Sequence, residues 1–293
     1  MNQLRLGYVF GIGAHTLWGF FPAYFKLLRP SSPVEVLAHR IGWSCLFMVM
    51  LLTVMRQWRR IGGLLRQPRK VAAITAAAVL IGLNWGTYIW AVNADRVVET
   101  ALGYFITPLV SIILGMVFLS ERLRSWQWVA VGIGTIAVLV LTVDYGRLPW
   151  VAFVLAVSFG FYGLVKKQLG LPAADGLFVE SAVLAVPAVA TLFLLPNPTF
   201  GGLGTGHTLL IAASGAITAM PLLMFAGAAN RIPLISLGML QYIGPTIQLF
   251  LGVFAFHEPM PPVRLAGFVL VWIALAVFSW DGLRRRAAVA RLT

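Results

Sequence analysis

The sequence predicts an all-α polytopic membrane protein, with ten transmembrane helices in two inverted five-helix repeats. Three observations predict this fold class: the composition, ten apolar stretches of spanning length, and an internal repeat. Of the 293 residues, 60% are hydrophobic and 11% are charged, whereas about 25% are charged in a typical soluble domain. A soluble globule would have to expose much of this apolar surface, and an aromatic content of 12% argues against disorder. The composition therefore indicates a chain whose solvent is lipid.

Ten apolar stretches have roughly the 20 residues that a helix needs to cross the hydrocarbon core. They cover residues 6–28, 35–55, 71–93, 100–119, 127–143, 150–166, 177–195, 208–229, 233–256 and 265–281. The first is too long for a signal-peptide core and has no small-x-small cleavage site, so we expect it to be retained. The longest connection, 56–70, has 15 residues and no G-x-x-x-x-G-K-[ST] motif occurs, which excludes an ATP-driven machine within this chain.

The basic residues predict the orientation. With the N-terminus in the cytoplasm, sixteen of the 22 lysines and arginines fall on the cytoplasmic side, five fall outside, and Arg40 lies within a span. This bias predicts that both termini are cytoplasmic. The net charge of +13 then marks orientation and contact with membrane lipid, not nucleic-acid binding. No cluster of metal ligands and no cofactor motif is present, so we expect neither a metal nor a cofactor.

The chain contains an internal repeat. A shift of 137 residues aligns seven identical residues within 91–121 without a gap. The pairs are Ala91 and Ala228, Asn93 and Asn230, Ile106 and Ile243, Pro108 and Pro245, Leu114 and Leu251, Gly115 and Gly252, and Glu121 and Glu258. Each half, 1–145 and 146–293, holds five spans, and the odd number inserts the second half in the opposite direction. Inverted halves are typical of secondary transporters that work by alternating access.

Several motifs are spread over nearly the whole chain. They are AHRIGW at 38–43, NW at 84–85, WAVN at 90–93, LGYF at 102–105 continuing to Glu121, FYGLV at 161–165 and QYIGP at 241–245. In these motifs the chain resembles the ten-helix EamA-type proteins of the drug/metabolite transporter superfamily, and within them the RarD branch of chloramphenicol-sensitive proteins. The resemblance implies an exporter-like, multi-pass carrier of the bacterial inner (plasma) membrane. The chain departs from the family pattern at Ser120 and His257, where the residue before the repeat-ending glutamate is often glycine.

Polar side chains on two repeat-related helices are candidates for substrate binding. In the fourth span they follow one helical face, and their repeat partners follow the equivalent face of the ninth span. The fourth-span face carries Tyr104, Thr107, Pro108, Ser111 and Gly115, and the ninth-span face carries Gln241, Gly244, Pro245, Gln248 and Gly252. Each proline should kink its helix and free a carbonyl. Either these faces line a substrate cavity near the midplane, or they are tight packing surfaces. Asn84, Trp85 and Tyr88 of the third span could add an amide and aromatic walls to such a cavity.

Charged groups inside the spans are candidates for ion coupling or gating. Arg40 lies in the second span and Glu180 in its repeat partner, the seventh. In a functional interpretation, Glu180 couples transport to a proton or cation, and Arg40 with His39 gates the pathway or binds an anionic group. In a structural interpretation, these residues anchor short connections through hydrogen bonds. For His15 in the first span, packing is favoured over a proton relay.

The sequence as a whole predicts a secondary transporter and not an enzyme. We expect alternating-access efflux of small organic compounds, driven by the gradient of an ion or of the substrate. An amino-acid or metabolite exporter is the alternative to a drug carrier. An intramembrane enzyme or a sensor subunit is the alternative from another class, but it would need convergent catalytic groups or a partner-binding loop.

Overall fold

The computed structural model describes residues 2–94, 96–145, 149–257 and 262–290. The repeat-ending Glu258 and the side chain of Asn93, both used to identify the repeat, lie outside this description. Within it the chain forms thirteen α-helices and one π-helical turn, Leu251–Ala255, and no strand. The helices are α1 Gln3–Gly19, α2 Phe21–Leu27, α3 Pro33–Val54, α4 Trp58–Leu65, α5 Pro68–Asn93, α6 Val97–Leu119, α7 Ser125–Tyr145, α8 Trp150–Leu169, α9 Ala173–Leu194, α10 Thr205–Ala229, α11 Leu234–Leu240, α12 Ile243–Phe250 and α13 Pro262–Ala290.

Eight of the described helical stretches are long and apolar enough to cross a membrane. They belong to α3, α5, α6, α7, α8, α9, α10 and the run from α11 through the π-helical turn. Two further predicted spans correspond to shorter apolar helices: α1 has 17 residues and continues into α2, and α13 contains the apolar segment Leu265–Asp281. Large apolar side chains such as Phe193 and Leu194 are more than 80% exposed, as expected for groups that face lipid. The chain is thus a polytopic all-α membrane protein.

The two repeat-related prolines have different effects on their helices. Pro245 has no N–H to donate to the carbonyl of Gln241, four residues earlier, and its ring would clash with that carbonyl. The chain accordingly leaves the helix at Gln241 and Tyr242, between α11 and α12. Pro108 instead lies inside α6, which runs as one helix from Val97 to Leu119. At Pro245 the helix thus breaks into two, which goes beyond the predicted kink, whereas at Pro108 it does not break.

Most of the extensive helix contacts join the two halves of the sequence. Helix α3 packs against α9 and α10, α6 packs against α8 and α11, and α7 packs against α13. These pairings bring the backbones close at glycines. A Cβ placed on Gly215 of α10, for example, would lie 2.5 Å from the backbone nitrogen of Ser44 in α3. The halves are consequently interleaved, with little packing within each half.

The ends of α6 and of the π-helical turn share an unusual backbone conformation. Ser120 has a φ of 54° and His257 a φ of 52°, the left-handed region in which helices commonly end on glycine. The two residues are 137 positions apart, so the repeat found in the sequence extends to the backbone at this point. At both positions a residue other than glycine therefore adopts the left-handed conformation.

Candidate functional site

A cavity of about 140 Å³ lies in the centre of the helix bundle. Its walls come from α1, α2, α3, α5, α6, α8, α10 and the segment around the α11–α12 break. They are His15, Trp18, Phe21, Pro22, Phe25, Arg40, Ile81, Asn84, Trp85, Tyr88, Tyr104, Thr107, Leu155, Phe159, Leu222, Gln241, Gly244, Pro245 and Gln248. Aromatic rings dominate these walls, and a few polar groups converge between them. This combination is typical of a small-molecule site.

The structure brings together eight of the ten residues that the sequence suggests for substrate binding. These eight are Asn84, Trp85, Tyr88, Tyr104, Thr107, Gln241, Pro245 and Gln248. Pro108 and Ser111 are the exceptions, because neither lines the cavity. A Cβ on Gly238 of α11 would lie 3.0 Å from the carbonyl oxygen of Pro108 and 3.1 Å from the Cβ of Ser111, so these residues face α11 closely. The predicted face of α6 is thus divided, with cavity lining at one end and helix packing at the other.

Hydrogen bonds across the bundle fix several of the lining side chains. The Asn84 amide donates to the carbonyl of Leu155 at 2.8 Å and to the hydroxyl of Ser158 at 3.0 Å, which ties α5 to α8. The Gln248 amide donates to the carbonyl of Trp18 at 3.3 Å. This carbonyl needs a donor because the residue four positions later, Pro22, has no N–H. These bonds give the cavity a rigid polar framework.

Among the described residues that line the cavity, Arg40 is the one whose side chain is charged whatever its surroundings. Its side chain is 9% exposed, and its Nε donates to the Thr218 hydroxyl at 3.1 Å. The guanidinium carbon lies 4.6 Å from the ring centroid of Trp85 and 5.5 Å from that of Phe25. Within the described part of the chain, no carboxylate pairs with it. Arg40 is therefore a buried cation held by aromatic faces and one hydroxyl.

His39, the neighbour of Arg40, does not line the cavity. Its ring stacks on Phe200 at a centroid distance of 4.5 Å, under the connection between α9 and α10. The carboxylate of Glu35 fastens the same connection by accepting hydrogen bonds from the backbone nitrogens of Thr199 and Phe200, at 2.7 and 2.9 Å. His39 thus belongs to the closure of this end of the bundle.

Glu180 forms a buried ion pair away from the cavity. Its Oε1 lies 2.6 Å from the Nζ of Lys166, and its Oε2 accepts a hydrogen bond from the Tyr162 hydroxyl at 3.1 Å. The side chains of Lys166 and Glu180 are 6% and 2% exposed. Arg40 and Glu180, the two charged candidates from repeat-related helices, therefore do not pair with each other.

A cluster of aromatic rings separates the cavity from this ion pair. Trp18 and Phe159 line the cavity and contact Phe225 behind them, at centroid distances of 5.7 and 5.3 Å. Phe225 in turn stacks on Tyr162, the hydrogen-bond partner of Glu180, at 5.9 Å. We call Trp18, Phe159, Phe225 and Tyr162 the aromatic plug. His15 packs against its edge, 5.1 Å from Trp18.

The end of the bundle beyond the plug is held by Glu121. Its two carboxylate oxygens accept hydrogen bonds from the backbone nitrogens of Leu234 and Ile235, at 2.7 and 2.9 Å, and so cap the N-terminus of α11. Lys167 lies 3.9 Å from Glu121 and donates to the carbonyl of Ile232 at 2.6 Å. The repeat-ending glutamate of the first half therefore fastens a helix of the second.

Three residues of these contacts do not stand out in the sequence. Lys166 is there one of the sixteen basic residues on the cytoplasmic side, and neither Tyr162 nor Thr218 belongs to a pattern that indicates a site. The one sequence signal for the pairing of Lys166 with Glu180 is that the two residues lie on consecutive helices, α8 and α9, which only Gly170–Pro172 separates. For Thr218, which lies 178 residues from Arg40, the sequence carries no such signal.

Comparison with known proteins adds a family context. Residues 5–143 match the EamA-like transporter family. The chain is 50% identical to Protein RarD of Streptomyces exfoliatus, over 99% of this chain and 94% of the relative. It is 41% identical to an uncharacterized transporter of Vibrio cholerae, over 99% of this chain and 97% of the relative. A crystal structure of a protein that is 18% identical matches with a TM-score of 0.73, over 95% of this chain and 98% of that chain, which shows a shared fold.

Proposed function

Because this chain belongs to the RarD branch of the EamA-like transporter family, we propose that it exports small organic compounds through the central cavity by alternating access. It is a membrane transporter of small molecules, not an enzyme, in a bacterial membrane. The proposal adds the direction of transport, the mechanism and the site. It also includes ten spans in two inverted halves, 1–145 and 146–293, with both termini in the cytoplasm.

One observation carries the mechanism: the helix contacts come in pairs that the repeat exchanges. A shift of 137 residues turns α3 into α9, α5 into α10, and α6 into the run from α11 through the π-helical turn; α1 and α8 correspond as the first helices of the two halves. The contact of α1 with α10 then corresponds to that of α8 with α5, and the contact of α1 with α12 to that of α8 with α6. Two such related arrangements can exchange conformations, which converts one open side into the other.

The proposed pathway runs from the cavity past the aromatic plug to the end of the bundle that carries Lys166 and Lys167. The positive-inside rule favours the cytoplasm on that side. For the cavity to open there, the plug must part and the cap of Glu121 on α11 must loosen. At the opposite end, the stacking of His39 on Phe200 would have to break for the cavity to open outward.

Glu180 is the proposed coupling carboxylate. Two small voids of about 10 Å³ each touch it, close to the volume that a single water requires. One is also lined by Lys166, and the other shares Ile81, Trp85 and Leu222 with the central cavity. Waters in these voids would place Glu180 between the basic end and the cavity, which is where a proton-carrying group is needed.

Transport in proteoliposomes tests the proposal. We expect uptake of radiolabelled amphipathic metabolites or antibiotics above that of empty liposomes, with an increase when a pH gradient is imposed. Saturable uptake of amino acids would identify a metabolite exporter, and saturable uptake of antibiotics would identify a drug carrier. Uptake that never exceeds that of empty liposomes over such a panel would refute the proposal.

A further inference from the structure

The central cavity combines a buried cation with unused hydrogen-bond donors. The guanidinium of Arg40 carries five N–H groups, and its Nε donates to Thr218. No other hydrogen bond or ion pair joins it to a described residue. Because an ionised group removed from water is costly without a partner, the remaining N–H groups form a site that favours an acceptor with negative charge.

Two tyrosines add donors beside the guanidinium. Tyr88 and Tyr104 line the same cavity, with ring centroids 6.2 Å apart. Neither hydroxyl bonds to another residue in the part of the chain that the structure describes. A carboxylate placed at Arg40 can therefore accept hydrogen bonds from the planar fork of the guanidinium and from phenolic hydroxyls.

The remaining walls set the size and shape of the ligand. Trp18, Phe21, Phe25, Trp85 and Phe159 present rings to the cavity. The volume of about 140 Å³ is close to that of an engineered protein cavity of about 150 Å³ that binds benzene. In this conformation the cavity has room for a group of about one aromatic ring, and the rings on its walls favour a planar group that stacks on them.

The lining also discriminates by charge. No aspartate or glutamate is among the described residues that line the cavity. An amine would therefore place a second positive charge near Arg40 without a carboxylate to receive it, and such like-charge contacts are unfavourable. The carboxylate of a zwitterion would pair with Arg40, but the ammonium group of the same zwitterion would have no anionic partner in the described lining.

Given the transport function proposed above, we propose that the substrates are small aromatic or similarly planar monoanions whose carboxylate binds Arg40. The ring lies against the aromatic walls, and the hydroxyls of Tyr88 and Tyr104 complete the coordination of the carboxylate. Arg40 is thus the residue that determines specificity for anions.

Binding to the purified chain tests this inference. Benzoate, benzamide and benzylamine have nearly the same shape and differ in charge, and quenching of tryptophan fluorescence reports binding because Trp18 and Trp85 line the cavity. We expect benzoate to bind about ten- to hundredfold more tightly than benzamide, the range for hydrogen bonds to charged groups, and benzylamine to bind more weakly than benzamide. Equal binding of benzoate and benzamide would overturn the proposal.

Variants locate the effect at Arg40. Arg40→Gln should lose the preference for benzoate and keep the affinity for benzamide within about threefold. Arg40→Lys should keep part of the preference for benzoate, because an ammonium keeps the charge without the bidentate fork. Arg59→Gln is the matched control, since this substitution removes the same charge from an exposed position on α4. If Arg40→Gln does not fold, the comparison of the three ligands on the unaltered chain still decides.

Two further measurements separate the possible failures. If chloride displaces benzoate completely at equal concentration, the site takes an inorganic anion only and the proposal is wrong. If a neutral compound is transported in proteoliposomes and benzoate is not, the substrate class fails and the transport function stands. If benzoate binds but no compound crosses the membrane, the proposed function fails independently of the anion site.

Discussion

Removal of one partner from the pair between Lys166 and Glu180 should destabilise the fold strongly. The two charges are 2.6 Å apart and nearly inaccessible to water. Glu180→Gln leaves a buried ammonium without an anion, and Lys166→Met leaves a buried carboxylate with only the Tyr162 hydroxyl. Breaking a buried pair in this way costs about 3–5 kcal/mol. We therefore expect each single variant to lose about that much free energy of unfolding.

The double variant should be far more stable than the two single changes suggest. With both charges removed and side-chain volume nearly kept, no uncompensated charge remains, so we expect a loss of about 1 kcal/mol or less. The assay is reversible unfolding in mixed micelles followed by circular dichroism, analysed as a double-mutant cycle. Single variants that each cost less than about 1 kcal/mol, with additive effects, would refute the reasoning.

A pair that is open to solvent on one side provides the control. Arg60 forms two hydrogen bonds with Asp175, at 2.6 and 2.8 Å, which raise the pKa of Arg60; the Asp175 side chain is buried, but that of Arg60 is half-exposed. Solvent around Arg60 screens this pair, so we expect a smaller coupling energy than for Lys166 and Glu180. The same proteins decide the role of Glu180 in transport. If the stable double variant loses uptake driven by a pH gradient, Glu180 couples transport; if uptake is unchanged, the pair is structural.

Three further changes test the packing and the cavity. In a background without the native cysteine, Gln248→Cys should react with a water-soluble thiol reagent, because Gln248 lines the cavity. Ser111→Cys should not react, because Ser111 is 1% exposed. Equal labelling of the two cysteines would contradict the division of the α6 face. Gly215→Ala should lower the free energy of unfolding by about 1–3 kcal/mol through overpacking. Gly42→Ala should not lower it, because a Cβ on Gly42 would have no neighbour within 4 Å. Similar free energies of unfolding for both variants would show that the close contact at Gly215 is not rigid. Ser120→Gly should raise the free energy of unfolding by about 1 kcal/mol, because it relieves a left-handed backbone, and a loss of stability in chemical denaturation would contradict this.

The positions of the apolar helices and much of the cavity lining can be predicted from the sequence. Apolar stretches depend only on local composition, so their positions agree with the helices to within a few residues over most of the chain. The cavity residues of α6 share a helical face, which the period of 3.6 residues reveals. The same period cannot tell where along that face the cavity ends, because that depends on where Gly238 of α11 meets Pro108 and Ser111.

The partners of the buried charges follow from the three-dimensional packing. Arg40 and Thr218 belong to α3 and α10, two helices that meet only once the halves interleave. Lys166 contributes to the basic bias that predicts the orientation, and a charge count does not distinguish a solvated lysine from one paired with Glu180. Local patterns therefore indicate candidate residues and leave open which of them touch.

The interleaving of the halves has a consequence for biosynthesis. Translation delivers α1 to α7 into the bilayer before the helices against which they pack exist. Helix α3, whose main neighbours are α9 and α10, then holds the polar side chains of His39 and Arg40 in lipid or at its surface until those helices arrive. Until α10 is made, the early helices thus lack the neighbours that bury these polar side chains in the folded protein.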